Sequence, residues 1–156
     1  MKIIKFIVSV AVCELAGVVG ALFTTSKIPT WYAALNKPSF NPPNWLFGPV
    51  WTLLYLLMGI AAYIIWQQGF DHSSVKKALA IFLVQLMLNV LWSFIFFGLE
   101  SLLGGLVVII LLWGAIFLTI SLFLRQSRMA GWLLIPYIAW VTFATVLNAA
   151  IFALNI

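Results

Sequence analysis

The chain has 156 residues, of which 65% are hydrophobic and 7% charged, with a net charge of +5. An average soluble domain carries about 25% charged residues, and a domain of about 150 residues still leaves about a third of its chain surface in water. This composition therefore excludes a soluble globular fold, and its apolar excess equally excludes disorder. A single cysteine, Cys13, and a single histidine, His72, exclude an intrachain disulfide and a Cys/His metal cluster. One domain over residues 1–156, dissolved largely in lipid, is expected.

Runs of about 20 apolar residues mark membrane helices. The first covers residues 3–23. Lys2 and Lys5 stand at its start, as in a signal peptide, but the run is long, contains Glu14 and lacks an A-x-A-like site, so it is expected to be retained. Ala16, Gly17, Gly20 and Ala21 give it two overlapping small-xxx-small patterns, which permit close helix packing. Glu14 falls about 16 Å into a core of about 30 Å. A mid-membrane acid is a functional candidate. The adopted reading is a structural carboxyl hydrogen-bonded to a neighbouring helix, against a proton-coupled role.

Residues 24–46 form the only long connection. Pro29, Pro38, Pro42 and Pro43 stiffen it. A short helical piece over residues 30–35, capped by Thr30, is expected. Trp31, Tyr32, Phe40 and Trp45 make the loop aromatic. It reads either as an interfacial belt or as a lid packed over a site. Four further spans follow at residues 47–66, 75–98, 102–124 and 131–154, with Pro136 expected to kink the last. Their links are short, so successive helices are expected to be antiparallel neighbours. The expected fold is an all-α, five-helix membrane bundle.

Lys2, Lys5, Lys76, Lys77, Arg125 and Arg128 share one side of this topology, and Lys27 and Lys37 the other. Six against two places the N-terminus in the cytoplasm and the loop and C-terminus outside. The basic residues are thereby explained without nucleic acid. A multi-pass protein of the cell membrane is expected.

Of eight tryptophans, Trp31, Trp45, Trp66 and Trp132 lie at span ends or in the loop, whereas Trp51, Trp92, Trp113 and Trp140 lie inside spans. Gln85, Asn89 and Trp92 share one face of the third span, and amides in hydrocarbon must find partners inside the bundle. Trp51 and Tyr55 share a stripe in the second span, and Pro136, Trp140, Ala144 and Asn148 a drifting stripe in the fifth. Direction and depth place these groups together in the outer half of the bilayer, beneath the loop. An aromatic pocket between helices, suited to a flat apolar ligand, is expected. There is no Walker-type loop, no H-E-x-x-H and no carboxylate pair. Asp71-His72-Ser73 reads as a solvated turn. No catalytic site of conventional type is visible, and no metal is called for.

Residues 31–59, WYAALNKPSFNPPNWLFGPVWTLLYLLMG, closely resemble the signature of the tryptophan-rich sensory protein / translocator protein family, also called peripheral benzodiazepine receptors. Residues 88–98 and 136–148 resemble its other two blocks. The chain looks like a bacterial-type member. The resemblance implies a five-helix bundle, often a homodimer, that binds porphyrins and other tetrapyrroles and isoquinoline carboxamide or benzodiazepine ligands beneath the first loop. The matching pocket positions are Tyr32, Pro42, Pro43, Trp51, Asn89, Trp92, Trp140 and Ala144, with Asn148 beside them. The cholesterol-recognition pattern of animal members is missing, because Leu147-Asn148 is followed by Ala149-Ala150.

The function the resemblance implies is tetrapyrrole binding, with no cofactor required and the tetrapyrrole as ligand or substrate, and the pocket read from spacing and depth suits such a flat molecule. The macrocycle would stack among Trp51, Trp92 and Trp140, with Asn89 offering hydrogen bonds and Lys27 or Lys37 meeting the propionates. Two alternatives stand beside it. One is light-dependent oxidative porphyrin degradation, with Trp51 and Trp140 as candidate photo-oxidised residues. The other is a tetrapyrrole transporter or stress sensor.

Overall fold

The computed structural model describes residues 2–156. All regular structure among them is helical: α1 (Lys2–Thr24), α2 (Phe47–Gln67), α3 (Ser73–Ser93), α4 (Leu102–Gln126), α5 (Arg128–Leu133) and α6 (Ile135–Leu154). A π-helical turn, Phe94–Gly98, extends α3, so five segments are long and apolar enough to cross a membrane. The expected five-helix bundle is the architecture observed.

The helix boundaries have local causes. Ser101 caps α4 by accepting from the Gly104 N–H at 3.1 Å, and Ser127 caps α5 by accepting from Ala130 at 3.4 Å. Arg125 lies in the last turn of α4, where it complements the helix dipole. The turn between α3 and α4 closes in three residues because Glu100 adopts a left-handed conformation, φ 54°. The fifth span is two helices. Pro136 has no N–H to give the carbonyl four residues back, and the chain breaks at Leu134 before α6 resumes. Within the spans, Thr24, Thr119 and Thr145 return their hydroxyl protons to carbonyls four residues back, which removes a polar group from the lipid phase.

The helices close into a ring. α1 packs on α2 and α3, α3 on α4, α4 on α5 and α6, and α2 on α5. The expectation that successive helices are neighbours is corrected at one place. α2 and α3, though joined by a short turn, touch only lightly, and α1 is α3's second main neighbour. Small residues on both α1 and α2 allow this arrangement. A Cβ added at Gly59 would lie 2.7 Å from Val10 Cα, and one at Gly17 would lie 2.6 Å from the Tyr55 ring. The core contains Met58, Ile65, Leu112, Ile116, Phe123 and Tyr137, all fully buried. Ile7, Val107, Ile110, Leu111 and Phe117 point outward, as a lipid-facing surface requires.

Candidate ligand-binding site

The amides of α3 find their partners at the bundle axis. The Tyr55 hydroxyl donates to Asn89 Oδ1 at 2.6 Å, Asn89 Nδ2 donates to Tyr137 Oη at 2.7 Å, and the Tyr137 hydroxyl donates to Gln85 Oε1 at 2.8 Å. This chain joins α2, α3 and α6 with every hydroxyl proton committed. Closer to the loop, Trp92 Nε1 donates to Asn148 Oδ1 at 3.3 Å, and Asn148 Nδ2 donates to the Leu102 carbonyl at 3.2 Å. Asn148 is therefore a tie between α3, α6 and the start of α4. Trp113 is similarly structural. Its Nε1 donates to Thr142 Oγ1 at 2.8 Å and its ring stacks on Phe117.

Residues 24–46 lie across one end of the bundle and are pinned on three sides. Trp31 and Tyr32 pack edge-on or tilted against Phe96 and Phe97. Lys27 pairs with Glu100 at 2.6 Å. Asn36 and Asn155 clasp each other, Asn36 N–H to Asn155 Oδ1 at 3.0 Å and Asn155 Nδ2 to the Asn36 carbonyl at 2.9 Å. The aromatics of the loop thus divide. Trp31 and Tyr32 pack as a lid would, and Trp45 is exposed as a belt residue would be. Burial pushes the Tyr32 phenol up to about 12, so it stays a neutral donor to Asn41 Oδ1 at 2.6 Å. The expected helical piece forms, but it begins at Ile28, with Lys27 before it. Thr30 lies inside it and bonds back to the Ser26 carbonyl. The correction has a simple cause: Pro29 supplies helical φ at the first turn without needing a hydroxyl cap.

Beneath this loop, α1, α2 and α3 enclose a cavity of about 470 Å³, within the range of about 300–1,000 Å³ common for small-molecule sites. Phe47, Trp51, Tyr55, Trp92 and Phe97 supply rings to its wall, and Gly17, Gly20 and Ala21 of α1 leave it room. A second void of about 30 Å³ lies between the loop, α2, α3 and α6, bordered by Tyr32, Trp140, Ala144 and Asn148. Phe47, Trp51, Trp92 and Phe97 border both and form the partition. The smaller void has space for about one or two waters. Trp140, which borders it, carries a buried Nε1–H without an acceptor among the described residues.

The anticipated pocket residues are therefore distributed. Trp51, Asn89 and Trp92 border the large cavity. Tyr32, Trp140, Ala144 and Asn148 stand behind the partition, around the small void. Pro42 is buried within the loop and Pro43 precedes the short helical turn Asn44–Leu46; neither borders a void. The two lysines considered for a ligand's carboxylates are both engaged. Lys27 holds Glu100, and Lys37 Nζ donates to the carbonyls of Tyr32, Ala33 and Leu35.

Sequence reasoning missed the contribution of α1. Its small residues signal close packing, but Gly17 and Gly20 also hollow out the cavity wall. Glu14 borders the cavity, and the expected hydrogen bond to a neighbouring helix is absent: among the described residues no donor reaches its carboxyl. Its polar neighbours Tyr55 and Asn89 are already committed to each other. Among the described residues no three His, Cys, Asp or Glu side chains come together as a metal site.

A five-helix bundle with spans of this length and apolarity, and a ring-walled cavity under a latched loop, defines a multi-pass membrane protein. The profile of the TspO/MBR family matches residues 9–154. The chain is 50% identical to the tryptophan-rich protein TspO of Archaeoglobus fulgidus over 99% of both chains, and 44% identical to that of Chlorobaculum tepidum over 99% and 98%. It is 40% identical to the translocator protein of Homo sapiens over 88% of this chain and 82% of that one. The chain belongs to the TspO/MBR family.

Proposed function

We propose that this protein is a membrane receptor for tetrapyrroles and other flat aromatic molecules, held in the cavity between α1, α2 and α3. The observation that carries the reading is the cavity of about 470 Å³ with Trp51 and Trp92 on its wall. Indole faces stack on planar π-systems, and such contacts are worth about 0.5–1.5 kcal/mol each beyond area burial. No Lys, Arg or His borders the cavity, so the carboxylates of a porphyrin would remain at the loop-side mouth, near Thr24, Thr25 and Asn44. With six basic residues at the opposite end of the bundle, that mouth faces the outside of a cell membrane. The oligomer in this reading is a homodimer.

Protoporphyrin IX titrated into the protein in nanodiscs should quench tryptophan fluorescence at micromolar concentrations. Trp51→Ala and Trp92→Ala should each weaken binding by about three- to tenfold. Equal affinity in both variants and in empty nanodiscs would refute the site.

Oxidative porphyrin degradation is a second reading, favoured by one observation: Trp51 borders both voids, and Trp140 lies behind it in the smaller. An illuminated porphyrin against Trp51 has an oxidisable indole at contact and a second in reserve. Under light and oxygen, loss of the porphyrin bands should slow in Trp51→Phe and less so in Trp140→Phe. Identical rates would mean bulk photochemistry.

A further inference from the structure

The three helices that enclose the cavity each contribute a polar side chain at its inner end. On α1 the innermost bordering residue is Glu14, on α2 Tyr55 and on α3 Asn89. Counted from Thr24 on α1, Phe47 on α2 and Gly98, the end of the π-turn that extends α3, the three lie about 12–15 Å deep, so they form a floor at one level. Tyr55 and Asn89 satisfy each other and Tyr137. Glu14 alone has no partner, and the only salt bridge among the described residues, Lys27–Glu100, is at the far mouth. A carboxylate in a low-dielectric site without a counter-charge is costly. Above it the wall is aromatic, with Phe47, Trp51, Trp92 and Phe97.

A lone acid beneath aromatic faces is the set of groups that recognises an organic cation: the carboxylate accepts its N–H groups and the ring faces attract its charge. The cavity also has an entrance fitted to such a molecule. Its border includes exposed Val18 and Ala21 on α1 and exposed Gly48 and Thr52 on α2, so it opens sideways between these helices. A cation with an apolar body partitions into the bilayer and reaches the floor without crossing the loop.

We propose that the α1–α2–α3 cavity is a site for lipophilic organic ammonium ions, with Glu14 as the counter-charge and the rings of Trp51 and Trp92 against the apolar body. The proposal shares the cavity with the tetrapyrrole reading but does not rest on it. Glu14 is the selectivity residue, because it is the one bordering group whose charge favours a cation over a neutral molecule of the same shape.

The test uses a matched pair, 1-pyrenemethylamine and 1-pyrenemethanol, which share a ring and differ in charge. Binding is read as energy transfer from tryptophan to pyrene in phosphatidylcholine nanodiscs, with empty nanodiscs subtracted. The unaltered protein should prefer the ammonium by about tenfold or more, the effect of one charge-assisted hydrogen bond. Glu14→Gln, which keeps the shape, should remove that preference and leave pyrenemethanol affinity unchanged. Glu14→Asp should retain part of it. No preference in the unaltered protein overturns the proposal, whatever the folding of the variants, and so does an undiminished preference in Glu14→Gln. Protoporphyrin quenching is measured on the same unaltered protein. Its absence in the unaltered protein, with the ammonium preference intact, would remove the tetrapyrrole reading alone.

Discussion

Replacing Tyr55 and Asn89, singly and together, tests the polar chain that positions the cavity floor. Tyr55→Phe removes the proton that Asn89 Oδ1 receives at 2.6 Å. Asn89 is 1% exposed, so water does not take its place. Hydrogen bonds between membrane helices average about 0.6 kcal/mol and reach about 1.7, while a buried group left unpaired costs about 1–3 kcal/mol. A short bond to a buried amide sits near the top of the first range, so Tyr55→Phe should cost about 1 kcal/mol. Asn89→Leu strands the Tyr55 hydroxyl and removes the donor to Tyr137 Oη, though Tyr137 still donates to Gln85. It should cost about 2 kcal/mol by the same figures. Once Asn89 is gone Tyr55 has nothing to donate to, so the double variant should cost no more than Asn89→Leu alone, a coupling of about 1 kcal/mol. Unfolding by added SDS in mixed micelles, followed by tryptophan fluorescence, measures all three. Costs that add within about 0.3 kcal/mol, the behaviour of independent sites, would show that the pair is not bonded.

Other consequences are equally direct. Gly59→Ala places a methyl 2.7 Å from Val10 Cα and 3.2 Å from the Ser9 carbonyl. Backbone cannot move aside as a side chain can, so α1 and α2 must part at a cost of about 1–3 kcal/mol; Gly114→Ala, with nothing within 4 Å, should stay within about 0.5 kcal/mol in the same titration. Asn155→Ala removes both bonds to the Asn36 backbone, and amide exchange at Asn36 should quicken by about 5–30-fold, the equivalent of one to two kcal/mol. Burial raises Tyr32 from 10.0 to about 12. Its neutral form is therefore favoured in the folded loop, and this contribution is complete below pH 10 and lost as pH rises from 10 to 12. Exchange in residues 28–37 should accelerate over that window, and Tyr32→Phe should abolish the step.

The spans were legible because lipid imposes a coarse demand. Any segment crossing it must be helical and apolar for about 20 residues, and every charge but Glu14, with four of the six prolines, falls between or at the ends of such segments. The polar face of α3 was legible for the same reason. Gln85 and Asn89 could not be left in hydrocarbon, and their partners lie on α2 and α6. The loop's role was half legible: its aromatics and prolines pointed to a lid, but its latches to Glu100 and Asn155 join residues 73 and 119 positions apart, and no local pattern encodes such pairs.

The cavity itself lay beyond the periodicity of any one helix. Helical spacing assigns residues to faces, and it brought Trp51, Asn89, Trp92, Trp140, Ala144 and Asn148 to one depth. Ring order decided which of them share a space. α2 and α3 pack only lightly, and α1 stands beside both, so the open volume falls on the α1 side while Trp140 and Ala144 close around the small void. Glu14 shows the difference most clearly. Its position in the sequence fixes its depth, since each helical residue advances about 1.5 Å. Whether it meets a hydrogen-bond partner or an empty chamber depends on which neighbours the other helices present at that depth. The answer, two polar groups already bonded to each other, exists only once α1, α2 and α3 are packed.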